Sequence, residues 1–146
     1  MNHAFSAIVL AVMAAMLTVS PFSTAHSPSE HARVYFIGLE DGAVVKCPIK
    51  VKFGVEGYGI VPAGIRDKRR HTGGHYHLLV DVKEKPALDE PIPRDVRHIH
   101  LDGGERETVL DLPPGEHTLQ LLLGDEEHES LDPPLISKKI HITVEE

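Results

Sequence analysis

Glycine and proline recur too often along most of the chain to leave room for a long helix. The 146 residues include 12 Gly and 11 Pro, and both residue types weaken or break a helix interior. The segments between them carry β-branched and aromatic residues, and residues 49–55 alternate apolar and polar side chains. Alternation with a period of two is typical of a half-buried strand. The chain is therefore expected to consist of strands and turns.

Short strands are predicted between turn signals such as Asp102-Gly103-Gly104 and Pro113-Pro114-Gly115. The predicted strands cover residues 33–37, 49–55, 76–82, 97–101, 107–112, 117–123 and 136–144. Their length and spacing indicate an all-β fold, an immunoglobulin-like antiparallel β-sandwich of about seven strands. A small barrel is the alternative.

Two connections, residues 57–74 and 83–95, are long for a compact domain. The first contains a basic cluster, Arg66-Asp67-Lys68-Arg69-Arg70, although the formal net charge of the chain is -7. We interpret the cluster as a solvated loop face. The acidic balance of the whole chain argues against a nucleic acid or an anionic membrane as partner, because both require a basic surface.

The first 25 residues are expected to be a secretory signal peptide. An apolar run at residues 7–19 is followed by the small residues Ser23-Thr24-Ala25, as a signal peptidase requires. The run is shorter than the roughly 20 residues of a membrane-spanning helix, although the segment before it lacks Lys and Arg. Cleavage would leave a flexible amino terminus at residues 26–32 and a single β-sandwich domain at residues 33–146. The mature protein is expected to be periplasmic or secreted, without membrane attachment.

Cys47 is the only cysteine in the chain. Export to an oxidising compartment favours disulfides, but one thiol cannot form an internal one, so the core must hold the fold. A thiolate-rich zinc site is excluded for the same reason. We interpret Cys47 as a small buried apolar residue.

The 11 histidines carry the clearest functional signal. His75-Tyr76-His77 and His98-Ile99-His100 both place two imidazoles two residues apart, which puts them on the same face of a strand, roughly 6.5 Å apart. His128 and Asp125 follow the sixth predicted strand and add an imidazole and a carboxylate. Imidazole groups suit Cu(II) and Zn(II). The predicted metal ligands are His75, His77, His98 and His100, with His128 and Asp125 completing the site.

The alternative is that the histidines are structural and hydrogen-bond to neighbouring Tyr, Asp or backbone groups. We interpret His117 as structural, and His31 and His141 as solvated or structural. His26 would become the first residue after cleavage and could bind copper through its amine and ring, but a frayed end is favoured there.

No catalytic set is recognised, because Ser130 and Ser137 lack the Gly-x-Ser-x-Gly elbow of serine hydrolases. The favoured function is a non-enzymatic periplasmic metal-binding domain for copper or zinc, acting as a carrier or buffer. The other hypothesis is an immunoglobulin-like interaction module that holds a protein or another envelope component. The two differ in one geometric respect: a metal site requires imidazoles from both pairs to converge.

The chain resembles an uncharacterised exported bacterial family, domain of unknown function 4399. The resemblance extends over about residues 33–144 and is carried by motifs at residues 71–81, 98–104, 107–108, 112–121, 124–125, 133–134 and 137–140. It implies a small periplasmic or extracellular β-domain with no agreed activity. The chain departs from the family at Glu129-Ser130-Leu131-Asp132, where a further His is usual, and this weakens the assignment of a metal to that loop.

A weaker similarity links residues 39–53 to exported copper-resistance β-sandwich carriers, which often begin with His after processing. It implies a slight preference for copper over zinc.

Overall fold

A computed structural model describes residues 28–65, 73–84, 87 and 90–146. These residues form nine β-strands and no helix, which confirms the all-β class. The strands are β1 (Arg33–Ile37), β2 (Ala43–Lys46), β3 (Ile49–Glu56), β4 (Gly59–Ile60), β5 (Gly73–Val80), β6 (His98–His100), β7 (Glu107–Leu110), β8 (Gly115–Gly124) and β9 (Ile140–Glu145). The predicted signal peptide, His26 and the basic cluster at residues 66–70 lie outside the described residues. No helix long and apolar enough to cross a bilayer occurs within the described ranges.

The strands form two sheets. The smaller is antiparallel with the order β1-β3-β7, and the larger has the order β2-β9-β8-β5-β4, with β6 also paired to β5. Two pairings in the larger sheet, β2 with β9 and β4 with β5, are parallel. The expected arrangement of seven antiparallel strands is thus corrected to nine strands in two sheets, of which the larger is mixed, and an immunoglobulin-like sandwich is not confirmed. The strands β2 and β4 have only 4 and 2 residues, too few for side-chain alternation to reveal them.

The main core lies between the two sheets. Tyr76 and Leu78 of β5 and Leu121 of β8 point into it and are fully buried. They meet the smaller sheet, where the ring of Phe53 lies 5.2 Å from that of Tyr76, centroid to centroid. Cys47 is half-buried and packs against the edge of this core, so it is less enclosed than expected.

The larger sheet is also covered on its outer face. All eight residues of β5 are buried, which is unusual for an antiparallel strand because one of its faces commonly meets solvent. A second apolar cluster lies on that outer face and comprises Leu79, Ile92 and Leu122, with Val82 and Ile136 packed against it. The described residues Val82 and Ile92 after β5 and Ile136 after β8 therefore form a lid over the sheet.

His117 braces the connection after β5, in agreement with its predicted structural role. Its Nδ1 lies 2.8 Å from Oδ2 of Asp81, and its Nε2 lies 2.9 Å from the carbonyl oxygen of Pro113. Burial acts to lower the pKa of His117, but the hydrogen bonds to these two acceptors outweigh it and raise the pKa above its usual value. This ring is occupied by protein groups and is not a candidate ligand.

Candidate metal centre

The strand β5 places two buried imidazoles on the covered outer face of the larger sheet. His75 and His77 alternate with the core residues Tyr76 and Leu78, as the period of a strand requires. Both histidines have 0% exposure. Their ring centroids are 4.6 Å apart. The sequence prediction that these two imidazoles share one face is confirmed.

A third imidazole comes from β6. His100 is the direct cross-strand partner of His77, and the two ring centroids are 4.3 Å apart. The Nε2 of His100 is 2.8 Å from the carbonyl oxygen of Pro93. Because that carbonyl can only accept, Nε2 carries the proton and Nδ1 keeps its lone pair, which is the arrangement that prepares an imidazole to bind a metal.

The fourth imidazole, His128, is supplied by the turn that follows β8. Its backbone adopts a positive φ of 65°, in the left-handed region that few residues other than glycine occupy. Asp125 shapes this turn, since its Oδ1 accepts hydrogen bonds from the backbone N–H groups of Glu127 (2.8 Å) and Glu129 (3.0 Å). The carbonyl of His128 accepts a 2.7 Å hydrogen bond from the N–H of Ile92, which ties the turn to the lid.

Four imidazoles therefore converge on one location. His75, His77, His100 and His128 each offer a ring nitrogen, and these four atoms lie within 4.8 Å of one another. A metal ion about 2.0 Å from four nitrogens holds them about 3.3 Å apart when tetrahedral. The present separations, up to 4.8 Å, are therefore up to about 1.5 Å longer than a tetrahedral ion requires.

The deepest ring nitrogens of this cluster lack hydrogen-bond partners among the described residues. They are both nitrogens of His75, both nitrogens of His77 and Nδ1 of His100. Burying a polar group without a partner costs about 1–3 kcal/mol, so native proteins rarely leave several such groups together. Five unpartnered nitrogens in one cluster are compatible with a site that binds a metal ion.

Burial keeps these rings neutral. It lowers the pKa of His75 to about 4, with a further contribution from the charge of His128, and lowers the pKa of His77 to about 2, with a further contribution from His75. Burial also lowers the pKa of His100. A neutral imidazole is the form that ligates metals, so the rings of His75, His77 and His100 need no deprotonation at neutral pH.

Asp102 is a site residue that the sequence reasoning assigned only to a turn. Its Oδ1 lies 3.2 Å from Nε2 of His128, 3.7 Å from Nδ1 of His100 and 3.8 Å from Nε2 of His75. Its Oδ2 lies 2.7 Å from the guanidinium of Arg94. Burial acts to raise the pKa of Asp102, but the hydrogen bonds from Arg94 and His128 lower it overall, so this residue is a carboxylate.

Two of the predicted ligands, His98 and Asp125, are not part of the cluster. His98 lies opposite Leu79 in the β5–β6 register, and its Nδ1 donates to Oδ1 of Asp95 at 2.8 Å. Asp125 directs its Oδ1 to the backbone of its own turn. The strands β5 and β6 are antiparallel, with His77 opposite His100. Because of this register, the part of β5 that carries His75 runs alongside the residues that follow His100, towards Asp102. The cluster consequently extends away from His98.

Gly124 makes room for the ring of His77. A Cβ atom at Gly124 would lie 2.5 Å from Cε1 of His77 and 3.0 Å from Cδ1 of Ile92. The substitution Gly124→Ala is expected to push this imidazole out of position, to lower metal affinity at least tenfold and to cost about 1–3 kcal/mol of stability through overpacking. Isothermal titration calorimetry and thermal unfolding measure the two effects.

The matched control for this variant is Gly54→Ala on the other sheet. A Cβ there would lie 2.5 Å from Cε2 of Tyr35, which is far from the imidazoles in the sheet order. We expect this variant to lose stability but to keep metal affinity within about twofold. Unchanged affinity in Gly124→Ala would show that the position of His77 is unimportant for binding.

The ligand atoms at this site limit which metal ions would fit it. Four imidazoles and a nearby carboxylate suit Cu(II) and Zn(II) and do not offer the thiolates that Cu(I) prefers. Cys47 packs elsewhere, against the main core.

Comparison with known proteins gives a family and no function. A family model described as domain of unknown function (DUF4399) matches residues 51–145, a range that includes all four clustered histidines. No curated protein and no solved structure matches the chain. Because the family model spans more than half of the sequence, this protein belongs to the DUF4399 family.

Proposed function

We propose that this protein is a non-enzymatic metal-binding domain that holds Zn(II) or Cu(II) through His75, His77, His100 and His128. The observation that carries the proposal is the convergence of buried ring nitrogens that have no protein partner within the described residues. A bound ion would accept their lone pairs and remove part of the burial cost.

A carrier or buffer role outside the cytoplasm accounts best for this site. The predicted signal peptide supports export, which would place the site outside the cytoplasm. His128 and Asp102 are partly exposed, at 27% and 42% of their side-chain surface, whereas His75 and His77 are fully enclosed. An ion would reach the buried pair past the exposed pair, and would leave by the same path.

The interaction-module hypothesis is less well supported. It requires histidines that are occupied by protein groups, and His98, His117 and His141 meet that requirement, each with an Asp partner. Within the cluster, His100 and His128 also contact protein groups, Pro93 and Asp102. The rings of His75 and His77 do not, because they make no hydrogen bond to any described residue. A structural role therefore explains the isolated histidines and leaves the buried pair unexplained.

Metal titration of tag-free protein tests the proposal. Protein recovered from the periplasmic fraction should begin at His26 and bind one Zn(II) or Cu(II) per chain with a dissociation constant below micromolar. At a free metal concentration of 100 times that constant, binding should add about 2.7 kcal/mol to the free energy of unfolding. Calorimetric titration and thermal unfolding with and without metal measure both. Affinity weaker than micromolar for both metals would rule the proposal out.

The choice between His100 and His98 is tested in the same assay. The variant His100→Ala removes a clustered ring and should weaken binding by roughly 100-fold, since each ligand contributes a few kcal/mol to the total affinity. The variant His98→Ala removes the other histidine of the same pair, which contacts Asp95 instead, and should bind metal within about threefold of the unsubstituted protein. Equal losses in the two variants would contradict the cluster as the binding site.

A further inference from the structure

A cation and a carboxylate lie against the imidazoles on the exposed side of the cluster. Arg94 donates from its guanidinium to Oδ2 of Asp102 at 2.7 Å. The same nitrogen lies 3.4 Å from Nε2 of His128. A positive charge is thus held within a few ångströms of the position proposed for a metal ion.

The two carboxylate oxygens of Asp102 contact different groups. Its Oδ2 is held by Arg94, whereas its Oδ1 lies within 3.8 Å of nitrogens on three different rings. A carboxylate oxygen is an accepted ligand for Zn(II) and Cu(II). In the geometry described, this oxygen lies close enough to join the imidazoles after a small rotation of the side chain.

From these contacts we infer that Asp102 is a fifth metal-binding residue and that Arg94 is the cation which the incoming ion displaces from it. The inference rests on the proposed function and adds a means of release to it. Two cations compete for one carboxylate: Arg94 holds Asp102 when the ion is absent, and the ion holds it when present. Arg94 is 60% exposed, so its side chain is free to move into solvent when a divalent charge arrives.

The competition gives the two residues opposite effects on affinity. The variant Asp102→Asn removes the carboxylate charge but keeps its shape, and should weaken Zn(II) binding by about 10–100-fold. The variant Arg94→Gln removes the competing cation, and should strengthen Zn(II) binding by about 5–10-fold, because like charges at this distance repel. A supporting role for Arg94, in which it only orients Asp102, predicts weaker binding in both variants.

The experiment measures Zn(II) dissociation constants for the full-length processed protein and for Asp102→Asn, Arg94→Gln and the double variant. In the double variant the effect of Arg94→Gln should shrink to within about twofold, because Asp102 no longer holds the guanidinium at the site. The Cu(II) electron paramagnetic resonance spectrum provides a direct readout, and Asp102→Asn should shift it towards an all-nitrogen ligand set. Thermal unfolding without metal checks that each variant is folded.

The outcomes separate the two proposals. If the unsubstituted protein binds no metal, the proposed function and this inference fall together. If it binds metal but Arg94→Gln weakens binding, or if the Cu(II) spectrum is the same in Asp102→Asn, this inference alone is overturned. Tighter binding in Arg94→Gln with weaker binding in Asp102→Asn supports it.

Discussion

Replacing both His75 and His77 with leucine is expected to abolish metal binding and to leave the fold intact. The two rings form the fully buried part of the cluster, and the loss of two ligands out of four should reduce affinity by roughly 1,000-fold or more. Leucine has a similar volume and would extend the second apolar cluster of Leu79, Ile92 and Leu122. The variant also removes four buried nitrogens without described partners.

The free energy of unfolding of the metal-free double variant should therefore equal or exceed that of the unsubstituted protein. Unpartnered buried polar groups are costly, and their replacement by apolar groups of the same shape is often neutral or stabilising. Calorimetric titration and urea unfolding at neutral pH measure affinity and stability. The control is the pair His98→Leu and His141→Leu, which removes two Asp-bonded histidines and should leave affinity within about threefold.

Two results would contradict this prediction. Retained metal affinity in the double leucine variant would show that the ion binds elsewhere. A large loss of stability without metal would show that the imidazoles are held by interactions that support the fold. If the double variant does not fold, the single variant His75→Leu, which leaves the ring of His77 in place, tests the affinity alone.

The second large effect is acid sensitivity of the metal-free protein. The pKa values of His75 and His77 are lowered by burial to about 4 and about 2, whereas in the unfolded chain both are near the usual value of about 6.5. Below that value the unfolded chain binds protons that the folded protein does not, so stability falls as the pH falls. Two such groups give a slope that approaches about 2.7 kcal/mol per pH unit well below pH 6.5, and a loss of about 3 kcal/mol between pH 6.5 and pH 5.

Urea unfolding of the metal-free protein at pH 7.5, 6 and 5 measures this loss. Above about pH 7.5 both histidines are largely neutral in the folded and unfolded states, so stability should change little there. The double leucine variant provides the control, because it lacks both groups and should show a much smaller slope below pH 6.5. An unsubstituted protein with the same stability at pH 7.5 and pH 5 would contradict the buried, neutral state of these rings.

The all-β class and the shared face of His75 and His77 were predictable because they depend on local patterns. His100 and His128 were also among the predicted ligands, but so were His98 and Asp125, which lie outside the cluster. The alternation of His75, Tyr76 and His77 specifies that the two imidazoles share a face, whatever strand lies beside them. The structural role of His117 was also predictable from its position after a turn. The strands β2 and β4 were not, because strands of 4 and 2 residues are specified by the backbone of their neighbours.

Membership of the cluster depended on contacts between distant segments. Both residues of the pair His98 and His100 satisfy the same local rule, yet only His100 lies opposite His77. The register is set by packing along both strands. A register shifted by two residues would keep every side chain on its face but would give it a different cross-strand partner. The observed register places Asp102 beside the clustered rings and leaves His98 outside the cluster.

The sequence by itself determined that the chain is all-β, and that two imidazoles lie on one face of a strand. The tertiary structure decided that this face is covered, that His100 and His128 join the pair, and that Asp102 and Arg94 lie beside them. The physical reason is the distance along the chain over which each effect acts. Periodicity acts between residues two positions apart, whereas a ligand set is assembled from segments whose relative positions depend on the packing of the whole domain.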